Sequence, residues 1–471
     1  MGNNFNYLLY LSLPGVFNLM TIHPIEFRYG TEEMKNIWEE ENGLKKLLEV
    51  ESTLATAEGE LGMIPKDAAS TIEAKAGEIS LKRVKEIEEE IGHDIMAVVT
   101  ALSESCGDSG RWVHFGATSN DMIDTAHALQ IKETIEILEG RLMGLLTVLI
   151  DLAEKNKDKV CAGRTHGQMA IPTTYGMKFT IWAAEIGRHL NRMEEMKGRI
   201  LVGKLSGAVG TMASFGSKGM ELQELVMEKL GLKAAEISNQ VIQRDIYAEY
   251  FFWLANVATT LDKICIELRT LQRTEIGEIR ERFGEKQVGS STMPQKRNPI
   301  KAEQVCGLAR IIRSYIEPAL MNNTLWDERD LTNSSCERVI LPEASILTDH
   351  IIKLTTKILE GIEFDDKKIE ENLYLLDGLN LSEAMMIELA KRGIGRQKAH
   401  EILRTVAMEV YRTREKPKDL LLRDDTVKEY FKEGEIDEIL DPKNYIGMSK
   451  EIVENVLDRL KERHNIKENK I

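Results

Sequence analysis

One long segment constrains the fold of this chain more than any other. From about Asn239 to Arg282 the apolar residues recur at steps of mostly three or four, the spacing that places them on one face of an α-helix. A second helical run follows the turn at residues 116–121 and extends to about Lys157. Only 10 of the 471 residues are proline, so long helices can continue without interruption. These features together predict an all-α protein.

Helices of this length also predict contact between chains. A helix of roughly 50 Å or more, at about 1.5 Å per residue, cannot bury its apolar stripe within a slim single bundle. We expect three helical domains: residues 1–111, a central bundle of long helices at 112–361 that includes a polar loop at 284–298, and residues 362–471. Gly361 and the acidic stretch Glu363–Asp366 mark the last boundary.

The start of the chain is unusual. Residues 7–13 are apolar but follow no basic segment and are too few to cross a bilayer. Met20 is an alternative start, which would make residues 1–19 a mispredicted extension, and a weak signal peptide is the other interpretation. The rest of the chain predicts a cytoplasmic protein with no membrane partner.

Composition excludes several classes of partner. The net charge of −15 argues against a nucleic-acid surface, so an anionic ligand must be met by a local pocket. The five cysteines include no C-x-x-C pair and fit free thiols in a reducing compartment. No histidine belongs to an H-x-x-x-H motif or a close Cys/His cluster, so no metal is expected. The glycine-rich stretch Lys204–Thr211 matches neither dinucleotide nor Walker motifs, and no cofactor is expected.

A polar loop between two helical segments offers the most specific chemistry. It reads Gly-Ser-Ser-Thr-Met-Pro-Gln-Lys-Arg-Asn-Pro from residue 289 to 299. Pro299 is predicted to open the next helix, with Asn298 as its N-cap. The Ser290 hydroxyl could act as a base if Lys296 and nearby N–H groups stabilise its anion, while Lys296 and Asn298 could hold a carboxylate. On composition alone, a surface turn would be the favoured interpretation.

Two other loops are candidate sites. His166 lies in Gly163–Gln168, predicted to be a tight connection between long helices, with Pro172 opening the second. Imidazole there could donate a proton into a groove, although a lone loop histidine is more often solvated. Thr118 and Ser119 begin a helix, where they could cap it or hold an anion.

Three further groups are ambiguous from residue type alone. His93 and Asp94 follow a glycine and could cap a helix or face a cleft. Arg329 and Arg338 flank hydroxyl residues and could form an anion site, while Ser334 and Glu337 also fit a capping box. Pro342 could begin that helix or kink it. Arg28 and Tyr29 would, alone, be a surface pair.

The eleven-residue loop resembles the signature of the fumarase/aspartase superfamily, whose members eliminate fumarate across a C–N or C–O bond. The resemblance implies that Ser290 is the general base and that Lys296 and Asn298 bind the substrate carboxylate. The Thr165-His166 pair is similar to a second superfamily motif, which implies that His166 is the general acid.

Motifs across nearly the whole chain from residue 23 onward resemble the adenylosuccinate lyase family. They are Arg28-Tyr29, His93-Asp94, Thr118-Ser119, the R-D-L-x-x-S-S-x-x-R element at 329–338 and the D-P-x-N-Y-x-G element at 441–447. The resemblance implies that the nucleotide phosphate and ribose are bound by Arg28, Tyr29, Arg329, Ser334 and Arg338. It further implies that the succinyl and base portions are contacted by His93, Asp94, Thr118, Ser119 and Gln240.

The resemblance also implies a reaction and an assembly. The expected reaction is anti elimination of fumarate from adenylosuccinate or from the succinylated imidazole carboxamide ribotide of purine synthesis. The expected assembly is a homotetramer whose sites combine three chains. Gln295 departs from many bacterial members, which carry histidine there, and argininosuccinate lyases share the glutamine. The alternatives are therefore an argininosuccinate lyase, a carboxymuconate cycloisomerase or an inactive helical scaffold.

Overall fold

The computed structural model describes residues 22–284, 289 and 291–467. The described residues are mainly helical, and the prediction of an all-α protein is confirmed. The helices are α1 (Pro24–Phe27), α2 (Glu32–Trp38), α3 (Glu40–Glu60), α4 (Lys66–Ala76), α5 (Leu81–Ile91), α6 (Asp94–Ser105), α7 (Ser119–Lys155), α8 (Tyr175–Ile200), α9 (Gly219–Leu230), α10 (Asp245–Leu271), α11 (Ile300–Ser314), α12 (Ile316–Met321), α13 (Thr332–Glu360), α14 (Asp366–Leu373), α15 (Ser382–Lys391), α16 (Arg396–Thr413), α17 (Pro417–Leu421), α18 (Asp425–Tyr430), α19 (Glu433–Ile439) and α20 (Ser449–Arg463).

Five long helices form the central bundle, because each carries a stripe of large apolar residues on the face it turns inward. They are α7, α8, α10, α11 and α13, and their buried side chains make one continuous core. Tyr175, Phe179 and Tyr250 are among its largest fully buried members. Separate apolar clusters lie within the N-terminal helices and within α15–α19. None of the described helices is long and apolar enough to cross a bilayer.

Short strands occur only as pairs in the described residues. β1 (Val160–Thr165) and β2 (Gln168–Thr174) form an antiparallel hairpin between α7 and α8. β3 (Val202–Gly203) pairs in parallel with β4 (Lys233–Ala234), and β5 (Ile279–Arg280) pairs with β6 (Glu363–Phe364). The expectation that Pro172 opens a helix is wrong, because Pro172 lies in β2 and α8 begins at Tyr175. Thr173 and Thr174, which are β-branched, extend the strand that far.

Other helix boundaries differ from the sequence prediction for local reasons. Helical patterning in the sequence runs from Leu81 to Ser105, but the helix is divided at Gly92, whose φ of 66° ends α5 in the left-handed conformation. The long run from Asn239 to Arg282 is helical only over Asp245–Leu271. Pro342 lies inside α13 without ending it.

Candidate active site

One cleft lies where the first turns of α7, α10 and α13 meet. It contains a cavity of about 160 Å³ whose lining includes four residues predicted to bind substrate. These are Asp94, Arg329, Ser334 and Arg338. We call this region the α13 cleft. The short loop–helix element at 329–338 therefore presents both arginines and the serine to the same space, as its sequence pattern suggested.

A hydrogen bond from Arg329 connects Gln240, a fifth residue predicted to bind substrate, to the cleft. Its Nη1 donates a hydrogen bond to Gln240 Oε1 at 3.2 Å. Its Nε is buried and has no partner among the described residues. Burial lowers the pKa of this guanidinium, since its charge is only partly compensated by the protein. Arg329 is therefore a cation with unused hydrogen-bonding capacity, facing an open cavity.

Arg338 and Asp94 are ion-paired across the cleft. Burial would raise the pKa of Asp94, but hydrogen bonds from Arg338 and from the Ile95 N–H outweigh it, and the pKa is lowered. His93 is the N-cap of α6, where Nδ1 accepts from the Met96 N–H at 3.3 Å. The capping interpretation of His93 thus holds, and its ring is exposed.

A buried ion network forms the floor of the cleft, and sequence reasoning missed it. Arg244, only 1% exposed, donates to both oxygens of Asp124 and, at 2.9 Å, to Glu337 Oε1. Asn333 Nδ2 donates to Glu337 Oε2 at 3.1 Å. These ion pairs and hydrogen bonds connect charged residues near the starts of α7, α10 and α13. The sequence evidence for this network is weak, since these residues are far apart in sequence and Glu337 fits a simple capping box.

His127 also lines the cavity and was missed. Burial lowers the pKa of its imidazole to about 4, so the ring is neutral at pH 7. Its Nδ1 is buried and without a partner among the described residues. The only sequence signal is its position three residues after Asp124 on α7.

Thr118 and Ser119 stand at the start of α7 over a second buried ion pair. Asp121 accepts from the Thr118 N–H at 2.9 Å, from Lys204 Nζ at 2.5 Å and from the Ser206 N–H at 2.9 Å. The side chains of Asp121 and Lys204 are fully buried. The glycine-rich stretch that sequence analysis left without a role therefore holds the helix start that carries Thr118 and Ser119.

His166 lies far from this cleft, at the tip of the β1–β2 hairpin. The tip turn has positive φ at His166 (54°) and Gly167 (73°), and the imidazole is exposed. The hairpin follows the C-terminus of α7, whose 37 residues span about 55 Å at about 1.5 Å per residue. A strand of six residues covers about 20 Å, so His166 cannot reach Thr118 within one chain.

The polar loop lies at the same end of the bundle as the hairpin. Ser290 falls outside the described residues. Lys296 is exposed, and Asn298 Nδ2 donates to the Gly289 carbonyl at 3.0 Å, which closes the neck of the loop. A Cβ on Gly289 would lie 2.1 Å from the Lys296 carbonyl, so only glycine fits there. The prediction that Asn298 caps the next helix is wrong: Pro299 holds that position, while the Asn298 amide is used across the neck.

The loop is tied to the end of α10. Gln272 Nε2 donates to the Arg297 carbonyl at 3.1 Å. Lys296 and Asn298 line an open cavity together with the cations Arg269 and Arg273. The 27 residues of α10 separate this cavity from Gln240 by about 40 Å. The name "loop end" is used below for this region, which comprises the hairpin at 160–174 and the loop at 289–298.

Arg28 and Tyr29 lie in a third place. The Tyr29 ring is 5.5 Å from the His350 ring, and Arg28 lies over Tyr29 at 6.0 Å. His350 is 16 residues beyond Ser334 on α13, which is about 24 Å along the helix. The predicted site residues are thus distributed over three separate regions of one chain.

Comparison with known proteins identifies the family of this chain. The lyase family matches residues 26–313, and the C-terminal region of adenylosuccinate lyase matches residues 378–456. The chain is 56% identical to adenylosuccinate lyase of Pyrococcus abyssi, covering 94% of this chain and 99% of that protein. It is 54% identical to adenylosuccinate lyase of Methanocaldococcus jannaschii, covering 94% and 96%. The chain belongs to the adenylosuccinate lyase family. It is therefore a C–N lyase of the fumarase/aspartase superfamily.

Solved structures extend the relationship to the superfamily. A fumarate lyase from Mesorhizobium sp. BNC1 superposes with a TM-score of 0.85 at 30% identity, covering 91% of this chain and 98% of that one. A 3-carboxy-cis,cis-muconate lactonizing enzyme from Pseudomonas putida gives 0.84 at 31% identity, covering 92% and 98%. The fold is therefore shared by enzymes with different names and activities, so the fold alone does not specify the substrate.

Proposed function

We propose that this protein eliminates fumarate from adenylosuccinate, giving AMP, and from the succinylated imidazole carboxamide ribotide, giving the free carboxamide ribotide. The observation that carries this proposal is the α13 cleft. Arg329 has a buried and unused Nε there, beside Ser334 and Arg338, which is the donor set that a phosphate monoester requires. Argininosuccinate, the substrate of the nearest alternative, carries no phosphate to use it.

The proposed chemistry is a stepwise anti elimination. The Ser290 alkoxide removes the proton from the carbon β to the leaving nitrogen. The electron pair passes into the adjacent carboxylate, whose growing charge is stabilised by Lys296 and Asn298. The pair then forms the carbon–carbon double bond of fumarate as the C–N bond breaks, and His166 donates a proton to the departing amine.

We propose that the remaining substrate contacts come from two groups. Arg28, Tyr29, Arg329, Ser334 and Arg338 hold the phosphate and ribose. His93, Asp94, Thr118, Ser119 and Gln240 hold the succinyl and base portions. Arg338 forms an ion pair with Asp94 in this structure. When substrate binds, its phosphate would replace the Asp94 carboxylate as the ion-pair partner of Arg338.

We further propose a homotetramer in which three chains complete each site, with the His93/Thr118 region, His166 and Ser290 supplied by different chains. Two observations support it. About 40 to 55 Å of helix separates the α13 cleft from the loop end, too far for one substrate to bridge. Helices of the bundle also expose large apolar side chains, including Phe252 (60%), Ile181 (52%) and Ile266 (50%).

The five unpaired cysteines support a cytoplasmic location.

An ultraviolet assay tests the substrate directly. Purified protein should convert adenylosuccinate, while argininosuccinate, which would release the same fumarate, serves as the matched control and should not react. Turnover of argininosuccinate alone would reject the proposal.

Assembly is tested by size-exclusion chromatography with light scattering and by mixing inactive chains. Ser290→Ala and His166→Ala chains, unfolded and refolded together, should recover part of the turnover that each lacks, because some sites then receive both wild-type groups. An active monomer, or no recovery in a properly formed mixed tetramer, would contradict shared sites.

A further inference from the structure

One fully buried carboxylate fastens the hairpin that carries His166. The Glu278 side chain is 0% exposed and accepts hydrogen bonds from three different elements. Arg164 Nη2, on β1, and Asn372 Nδ2, on α14 at 2.8 Å, both donate to Oε1. The Tyr175 hydroxyl, at the start of α8, donates to Oε2 at 2.5 Å. None of these residues has a role in the proposed chemistry.

Arg164 depends on Glu278 for its charge compensation. Its Nη1 is buried and has no partner among the described residues, and Glu278 is the only carboxylate with which its guanidinium forms an ion pair there. A buried charge that loses its partner is costly, so the Arg164 side chain has little freedom to leave this position. Burial and the neighbouring carboxylate raise the pKa of Tyr175 far above its usual range, so the hydroxyl remains a donor.

The anchor is close enough to His166 to set its direction. Arg164 is two residues before His166, and Thr165 pairs with Gln168 across the turn. The strands are pressed together at Gly163, where a Cβ would lie 2.2 Å from the Ile171 carbonyl. The hairpin therefore behaves as one unit, and a fixed point beside its tip controls where the exposed imidazole points.

We propose that Glu278 is a positioning residue for the elimination: through Arg164 it holds the His166 hairpin at the angle from which the imidazole reaches the departing nitrogen. This inference rests on the proposed role of His166. An error of about 1 Å in the placement of a reacting group can cost about 100-fold in rate. Substrate affinity should change little, because the binding groups lie on other elements.

The test is steady-state kinetics of Glu278→Gln in the full chain. Glutamine keeps the size of the side chain, and its amide oxygen can still accept from Asn372 while its NH2 group donates to the Tyr175 hydroxyl, but it removes the charge that holds Arg164. We expect kcat to fall about 100-fold while KM stays within about twofold. Arg164→Gln carries the same expectation and leaves Glu278 bonded to its two other donors, so it replaces Glu278→Gln should that variant not fold.

A double variant separates positioning from general stability. If Glu278 acts through His166, then Glu278→Gln should have no further effect on the residual kcat of His166→Ala. Lys159→Gln is the matched control, since it removes an ion pair with Asp366 at the base of the same hairpin. Tyr250→Phe removes a buried bond to Ser345 elsewhere in the bundle. Both controls should keep kcat within about twofold of the wild type.

Two results would overturn the inference. One is a normal kcat in folded Glu278→Gln or Arg164→Gln. The other is an equal loss of kcat in the His166→Ala background, which would mean that Glu278 serves stability alone. Near-normal turnover of His166→Ala itself would instead reject the proposed role of His166, so the two failures are distinguishable.

Discussion

The two ends of the long-helix bundle are built in opposite ways. Beneath the α13 cleft two sets of charged groups are buried and paired, Arg244 with Asp124 and Glu337, and Asp121 with Lys204. At the loop end His166 and Lys296 are exposed, and the contacts that hold their loops include those made by Glu278, Glu281 and Gln272. The contrast shows that the charges beneath the cleft are paired within one chain, whereas the polar groups of His166 and Lys296 lie at the surface of that chain.

The largest expected effect tests the chemical role of the loop end. Ser290→Ala and His166→Ala should each lower kcat by about 10³-fold or more, because each removes one of the two groups proposed for proton transfer. Calorimetric titration should show that both variants still bind adenylosuccinate within about threefold of the wild type. Lys159→Gln, on the same hairpin, is the control. Turnover near the wild-type value in either variant would show that the loop end does not supply that group.

The opposite pattern is expected at the α13 cleft. Arg329→Ala should raise KM about 10- to 100-fold, since a charge-assisted hydrogen bond is worth about 1.5 to 3 kcal/mol, while kcat changes about threefold or less. Arg404→Ala, an exposed arginine paired with Glu401 on α16, is the control. A fall in kcat with an unchanged KM would contradict the assignment of substrate binding to the α13 cleft and of proton transfer to the loop end.

The buried character of the cleft also predicts a dependence of stability on pH. The pKa of His127 is lowered to about 4, whereas an unfolded histidine titrates near about 6.5. Below that value the unfolded chain binds a proton that the folded chain does not, so the free energy of unfolding should fall as pH drops from about 6.5 towards 4. Each pKa unit is worth about 1.4 kcal/mol, so His127 contributes at most about 3 kcal/mol to this loss.

His127→Gln should therefore lose less stability than the wild type between pH 7 and pH 5, by about 1 to 2 kcal/mol. Urea unfolding at one fixed protein concentration measures the difference. His400→Gln, at an exposed position on α16, should follow the wild type at both pH values. Parallel curves for wild type and His127→Gln would mean that this imidazole is not held neutral in the cleft.

The smallest expected effect concerns an attachment point of the loop. Glu281 accepts from the Ala302 N–H at 2.7 Å and from the Lys301 N–H at 3.3 Å, in the first turn of α11, directly after the loop. Glu281→Ala should leave these groups unpaired at a cost of about 1 kcal/mol, and kcat should fall about three- to tenfold. Glu275→Ala, an exposed carboxylate nearby, should have no effect. An unchanged kcat in Glu281→Ala would show that the loop is positioned by other contacts.

Much of the fold was predictable because the evidence for it is local. The buried stripe of α10 and the start of α7 after Thr118 follow from spacing and helix-start signals within a few residues. The strand at Pro172 was not predictable, since β1 and β2 stabilise each other across the turn at His166 and Gly167. The amide of Asn298 was assigned to a helix cap for the same reason: its carbonyl partner at Gly289 is nine residues away.

The site was predictable only where motifs are contiguous. Arg329, Ser334 and Arg338 share one short element, and they do meet in one cavity. Arg244 and Glu278 could not be assigned, because their charge partners are 120 and 114 residues away in sequence.

The helices, the lyase motifs and the residue types available for binding and proton transfer could be predicted from the amino-acid order, because they depend on spacing along the chain. Which charges are buried together, and that the motifs fall into regions tens of ångströms apart, became evident only in three dimensions, since rigid helices of about 40 to 55 Å hold their two ends apart. A charge is stabilised by neighbours in space, and the order of residues does not specify those neighbours.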